Sequence, residues 1–411
     1  IMTGIATGVF KKLSFKKQTA VKTVASAGAA GSAQYMRRVT STLSLAKATY
    51  QSQEILASQQ VRDFRHGVRK VEGSISGELS VGGYQKPFES VLRQLVQSAP
   101  TSGALTTVTA AVTTGAQGTF TRSGGSFITD GFKVGDVVNW TGWATTGVPN
   151  NDHHALIIGL TATVMTVVMI NGVAVGPKAA GDSVTCALVG KRTWVPSSGQ
   201  TRDYYTIEHW FSDIAQSEVF EDCVFSGANI QLPPSGMATV EFPVMGLNMS
   251  TGATEYFTTP AAPPTGGIEA SVNGILVING AAAGIVTGMN VAITGNYSAP
   301  GGVVGTNVDP DIFPGTLGVT GQLTVLFQDE VFRDMFLNET EASVALVLTA
   351  TNAANAPFTS FVMPRIKFGG STKDDGQTGL TQTMPFTALE RVDGSTVHLA
   401  TTIAIQDSAF A

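Results

Sequence analysis

The sequence of 411 residues is poor in the residues that carry most protein chemistry, with two cysteines, Cys186 and Cys223, and five histidines. Two thiols without a Cys-x-x-Cys spacing exclude a disulfide-stapled scaffold, a zinc ribbon and a dithiol redox motif. They read as buried free thiols of a reducing compartment. Charged residues make up 13% of the chain, about half the usual quarter, which excludes disorder driven by charge. Gly-x-x-x-x-Gly-Lys-Ser/Thr, Gly-x-Ser-x-Gly, His-Glu-x-x-His and EF-hand patterns are all missing, so no nucleotide, hydrolase, zinc-protease or calcium signature is present. The start, Ile1-Met2-Thr3-Gly4, lacks a basic stretch followed by an apolar one, so no export signal is expected. The longest apolar stretch, residues 155–176, is interrupted by threonines and by the Asn171-Gly172 turn pair. It reads as short strands rather than a membrane span.

What the chain does have is glycine, 46 residues of it, and hydrophobic residues at 43%. With abundant Val, Thr and Ala, this points to strands and turns. Apolar and polar residues alternate over 71–79, 322–327 and 342–348, the period of half-buried strands. One helix is expected around residues 87–95. Pro87 suits its first turn, and Phe88, Val91, Leu92 and Leu95 fall on one face. Residues 131–138 read as strand, turn and strand, and 184–189 as a further strand.

A faint internal repeat organises the chain. Val71-x-Gly73-x-Ile75-Ser76 returns as Val319-x-Gly321-x-Leu323-Thr324. The helical Phe88-x-x-x-Leu92 returns as Phe332-x-x-x-Phe336. Val39-Thr40 and Tyr50 match Val286-Thr287 and Tyr297, and residues 237–242 parallel 381–386. The order of these matches predicts a duplicated β domain. The first copy is longer, and the excess falls in a block without a later counterpart. The expected layout is therefore mainly β. A first domain spans 1–104 and 191–255, a small β-barrel or sandwich is inserted at 105–190, and a second domain spans 256–411. The domains read as two tandem β-sandwiches, each with a short helix.

No catalytic or cofactor constellation emerges. Asp152-His153-His154 sits in a turn-rich tip without further ligands nearby, and Lys373-Asp374-Asp375-Gly376 is an acidic loop; both read as solvated turns rather than metal sites. Glu208 and His209 are neighbours on a strand, so their side chains point to opposite faces and do not form a dyad. Asn248-Met249-Ser250 and Asn338-Glu339-Thr340 are chance glycosylation patterns in a Thr-rich chain. The charge itself is uneven: residues 1–100 hold 14 Lys and Arg against 5 Asp and Glu, and residues 101–411 hold 11 against 25. The basic charge concentrates in Arg62, Arg65, Arg69 and Lys70. This run follows a polar segment, 51–60, that has no hydrophobic period. Together they read as a long excursion between two strands, either a solvated loop or an arm that docks on a neighbouring subunit.

Several of these motifs together resemble the tail tube (major tail) proteins of long non-contractile-tailed bacteriophages. They are Arg37-Arg38-Val39-Thr40-Ser41, residues 51–55, residues 65–80, residues 362–368 and residues 382–389. The resemblance implies β-sandwich domains that assemble as stacked rings around a channel for the genome. The subunit would lie in the virion tail, be assembled in the host cytoplasm, and meet a tape measure protein, a tail terminator and distal tail proteins. Six such domains make a ring in minimal members, so a two-domain chain implies trimeric rings with pseudo-sixfold symmetry. On this reading the arm with Arg62, Arg65, Arg69 and Lys70 reaches an adjacent ring, and the insert lies outside the tube. Ser74, Ser76, Glu78 and Ser80, with Gln322 and Thr324, line a net-negative channel that passes double-stranded DNA without base contacts. No cofactor and no membrane span are implied. Two other readings compete. One is a surface adhesin or fibre protein whose inserted module binds carbohydrate through Trp140 and Trp143, although a core role suits those residues better. The other is a capsid or decoration protein.

Overall fold

The computed structural model describes residues 4–28, 33–144, 150–375, 379–392 and 396–411. In the first part of the chain, β1 (Lys11–Lys17), β2 (Gln34–Tyr35), β3 (Thr40–Ser41), β4 (Ser44–Gln51) and β5 (Phe64–Glu78) lead to helix α1 (Gln85–Leu92). Seven strands follow: β6 (Thr101–Leu105), β7 (Thr109–Thr114), β8 (Gln117–Thr121), β9 (Val137–Thr141), β10 (His154–Leu160), β11 (Val164–Met169) and β12 (Val184–Leu188). The chain continues through β13 (Lys191–Trp194), β14 (Tyr205–Phe211), β15 (Gln216–Phe225), β16 (Gly227–Leu232), β17 (Thr239–Gly246) and β18 (Asn248–Gly252). The last part holds β19 (Gly274–Ile278), β20 (Ala281–Ala282), β21 (Val286–Thr294), β22 (Gly318–Leu326), helix α2 (Val331–Leu337), β23 (Ala342–Thr349), β24 (Phe358–Phe368), β25 (Thr372–Lys373), β26 (Thr381–Ala388) and β27 (Ala404–Asp407). The protein is mainly β, as the alternation predicts.

The ladders before and after residue 256 follow one plan. The pairings β1–β14, β1–β2, β4–β5, β5–β17, β14–β15, β15–β17 and β16–β17 recur as β19–β23, β19–β20, β21–β22, β22–β26, β23–β24, β24–β26 and β25–β26. Register refines one sequence match. Ile75 lies opposite Phe242 and Leu323 opposite Met384, so Phe242 corresponds to Met384 rather than Phe386. A two-residue slip keeps every side chain on its face, which is why the alternation alone did not reveal it. The glycine of the repeated motif has a steric reason in both places. A Cβ on Gly73 would meet the Thr42 carbonyl oxygen at 2.7 Å, and one on Gly321 would meet the Asn290 oxygen at 2.4 Å.

The two parts are also joined. Antiparallel pairing of β16 with β21 links their sheets edge to edge, and one hydrophobic core runs through both. Helix α1 lies inside this core, and Phe88 contacts Phe361 edge-on at 6.0 Å. The helix is shorter than its apolar spacing suggests. Arg93 adopts a left-handed conformation (φ 58°) and ends it, leaving Leu95 outside and exposed. That stop turns the Arg93 guanidinium into the junction, where it donates to the carbonyls of Gly295 and Gly315 at 2.9 Å.

Strands β6–β12 form a separate seven-stranded sheet around their own core of Phe120, Phe127, Phe132, Trp140, Trp143 and their neighbours. Residues 131–136 form a turn there rather than a strand, and β9 begins only at Val137. The outer side of this sheet is apolar as well: Val137, Leu156, Val168 and Ile170 pack on Val277, Val347 and Phe358 of β19, β23 and β24. The C-terminal strand β27 runs between β13 and β24, and its Gln406 side chain exchanges hydrogen bonds with the backbone of Val137. Removing residues 101–188 is therefore expected to uncover an apolar face and drive aggregation. Adding Val347→Thr and Phe358→Ser to the excised chain should restore a monodisperse peak in size-exclusion chromatography. An excised chain that is soluble without these changes would show that the face contributes little.

Candidate assembly surfaces

One face of the joined sheet is polar along its whole width. Cross-strand neighbours place Thr40, Ser76, Glu241, Asn229, Ala292, Thr320, Thr387 and Lys367 in one row. A second row runs Glu78, Thr239, Gln231, Asn290, Gln322 and Pro385. Ser74, Ser76, Glu78, Gln322 and Thr324 therefore share a single surface, although they come from strands far apart in sequence. Ser80 does not belong to it: it lies beyond the end of β5, is buried, and forms a bridge with Ile268. The face carries Glu72, Glu78 and Glu241. Lys70, Arg365 and Lys367 on this side are ion-paired, Lys70 with Glu72, and Arg365 and Lys367 with Glu341 at 2.6 and 3.9 Å. The seven-stranded module sits behind the opposite layer of the sandwich. The core-facing side chains of β23, such as Leu346, point towards the sheet that bears the polar face, and Val347 points towards the module.

The excursion before residue 71 is a β-hairpin rather than a loop. Strand β5 has 15 residues and β22 has 9, and the extra length pairs with β4 to form a projecting arm. Such a hairpin has no buried face, hence no alternation, so its sequence reads as polar coil. Its tip is not simply basic. Tyr50, Val61 and Phe64 are exposed, and Ile55 is 99% exposed. The cations are matched locally: Arg65 bonds Asp63 at 3.0 Å, Arg62 lies 3.8 Å from Glu54, and Lys70 pairs with Glu72. The Asp63 carboxyl is held below its usual range by the Phe64 backbone N–H and then by Arg65. Arg69 is not a free arm cation. Its guanidinium donates to Asn248 at 2.8 Å and Asn307 at 3.0 Å, pinning the root of the hairpin to the start of β18 and to the loop between β21 and β22.

Among the strand edges left open in the described residues, two occupy matching places in the common plan. Strand β25 bonds only to β26, while β3 and β4 bond only to β5. In the common plan β25 is the counterpart of β16, and β3–β4 is the counterpart of β21. The two open edges are thus the equivalents of the two strands that join the parts of this chain.

The remaining candidates resolve into structure. Among the described residues no three His, Cys, Asp or Glu side chains converge as metal ligands; Gly376 of the acidic loop lies outside the described residues. His154 is buried against Phe358, and burial pulls its pKa down to about 4. Glu208 accepts the backbone N–H groups of Tyr256 and Phe257, while His209 points away to the Ser41 hydroxyl at 2.8 Å. His209 is 1% exposed, so this contact ties strands together and offers no substrate access. Trp140 and Trp143 are buried in the module core, Trp140 stacked on Phe120 at 4.5 Å. No tryptophan platform for sugars exists there. Both thiols are fully buried, and burial raises them well above the usual cysteine range, so they are unreactive. No helix among the described residues is long and apolar enough to cross a membrane.

Open sheet edges and a projecting arm are features suited to assembly. A family model described as phage tail tube protein matches residues 11–388. The chain belongs to that family. It is a structural subunit of a phage tail tube and a virion component. None of the curated proteins matches it.

Proposed function

We propose that three copies of this tail tube protein close into a ring with pseudo-sixfold symmetry, and that stacked rings form the channel for genome delivery. The observation that carries this reading is the β16–β21 ladder with its two open counterparts. Carried from one copy to the next, that ladder sets β25 of one subunit against β3–β4 of its neighbour. Asn229 opposite Ala292 becomes Thr372 opposite Ser44. Closure satisfies backbone groups that an isolated subunit leaves open along these two edges. The polar face then lines the channel. Few unpaired cations there means few sites that capture phosphates, so double-stranded DNA slides without base-specific contacts. The module lies outside, behind the opposite layer, and the arm reaches an adjacent ring. The ends of such a tube would meet a tape measure protein, a tail terminator and distal tail proteins, with assembly in the host cytoplasm. A chain carrying Ser44→Cys and Thr372→Cys should form inter-chain disulfides that end at a covalent trimer on a non-reducing gel. Electron microscopy should show rings of three chains. Rings of six chains, or no linkage between these positions, would overturn the proposal.

A further inference from the structure

The common plan of the two parts also accounts for an empty position at the end of the second sheet. In the first part, Leu79 N–H donates to Ala238 O at 2.8 Å, where β5 and β17 end. The connecting segment before β19 then adds as a short strand: Glu269 N–H donates to Leu79 O at 3.0 Å, and Ala238 N–H donates to Glu269 O at 2.9 Å. Ser80 bridges to Ile268 and Met237 to Ala270. Ala238 ends up 0% exposed.

In the second part, Phe327 N–H donates to Leu380 O at 2.9 Å, the counterpart of the first bond. No strand follows it among the described residues. Leu380 is 39% exposed, and Leu326, which lies opposite Thr381, is exposed too. Among the described residues, this end of the second sheet is exposed and its strand position is unoccupied.

The segment that corresponds to residues 268–270 precedes β1. Aligning β1 on β19 through their ladders sets Phe15 on Ile278 and Leu13 on Leu276. Continued backwards, Thr7 falls on Ala270 and Ile5 on Ile268. The turn between is the same in both places: Phe10 N–H donates to Thr7 O at 3.0 Å, as Asn273 N–H does to Ala270 O at 3.1 Å. Ile5 keeps the apolar character of Ile268 yet is 95% exposed in the single chain.

We propose that residues 5–7 of one subunit add as a strand to the end of the second sheet of its neighbour, with Ala6 bonding the backbone of Phe327 and Leu380 and Ile5 covering the apolar end. The occupant is a second copy of this chain. The inference rests on the ring reading above and extends it, because the segment before β1 stands to the neighbour as the connecting segment stands to its own chain. Strand addition of this kind supplies main-chain bonds for affinity and one apolar side chain for register.

The direct test uses the full-length chain with Ile5→Cys and Gln328→Cys, the counterparts of Ile268 and Ser80. The native thiols are buried and stay in place. Mixed single mutants should give a cross-linked dimer, and the double mutant a covalent trimer. In tubes assembled from the Gln328→Cys chain alone, the introduced thiol should resist thiol reagents. Ile5→Asp should weaken ring closure about tenfold or more, since it removes a buried isoleucine at each contact. Linkage at Ser44→Cys and Thr372→Cys without linkage at Ile5→Cys and Gln328→Cys would overturn this inference and leave the ring standing. Free labelling of the Gln328→Cys thiol in tubes would do the same. Failure of both pairs would remove the ring reading and this inference with it.

Discussion

Replacing Ile55 with Asp should leave the subunit folded and its rings closed but stop the rings from stacking. Ile55 stands at the tip of the β4–β5 hairpin with almost its whole side chain in water, and Val61, Tyr50 and Phe64 are exposed on the same arm. An isolated domain gains nothing from such a display, whereas an arm that docks gains the burial of each group. Burying one isoleucine contributes about 2 kcal/mol. In the proposed three-chain ring three arms would act together at each ring–ring contact, so the tip would contribute about 6 kcal/mol, roughly four decades in the stacking constant. The arm's ion pairs are exposed to water and contribute far less. Arg62 and Arg65 already have partners within the hairpin. Arg62→Ala with Arg65→Ala should therefore shift polymer yield by less than about tenfold. Arg69→Ala belongs to another class, because it releases the hairpin root from Asn248 and Asn307. Sedimentation of polymer, with negative-stain images of the pellet, separates these cases. Full-length tubes from Ile55→Asp would show that the tip does not dock, and loss of tubes in the double arginine variant would return the contact to electrostatics.

The arm also marks where sequence reading ran out. Strands with one wet and one dry face were legible, because alternation in 71–79, 322–327 and 342–348 is itself the record of burial. The shared plan of the two parts was legible through Gly73 and Gly321, positions that tolerate no Cβ. A hairpin dry on neither face leaves no such record, so residues 51–70 read as an excursion between strands. Strand β27 fails in the opposite way. All four of its residues are buried on both sides, including Gln406 and Asp407, so its composition does not announce a core strand. Ser80 was placed by parity alone, and parity ends where the ladder ends. The edge pairing of β16 with β21 depends on register between distant segments, which no local pattern encodes.

A second large effect is expected from a single buried proton. Glu269 is fully buried; Thr359 approaches its carboxylate, but neither oxygen receives a well-formed hydrogen bond among the described residues. The nearby Thr359 hydroxyl is donated to Asp407 instead. Asp407 also accepts the N–H groups of Gly82 and Ala409, so it is the better placed of the two to carry charge. Burial, with the negative Asp407 beside it, pushes the Glu269 pKa well above the carboxylate range. Burial also moves Asp407 up, to about 6, despite its donors. Both groups thus hold protons more tightly in the folded chain than in the unfolded one. Their contribution is fully present below the unfolded carboxyl range and is lost as pH rises through the folded values, at up to about 1.4 kcal/mol per pH unit for each extra proton held. The Asp407 part is spent by about pH 6–7. Between about pH 7 and 8, below the range in which the buried thiols and tyrosines begin to titrate, a further fall is the one expected from Glu269. Glu269→Gln keeps the shape and removes the ionisable group. It should match the wild type near pH 4, exceed it increasingly above pH 7, and flatten the curve there. Urea unfolding of the subunit at a series of pH values gives the slope directly. An unchanged slope above pH 7 in Glu269→Gln would mean that Glu269 is already ionised in the folded chain and has found a partner that this geometry does not provide.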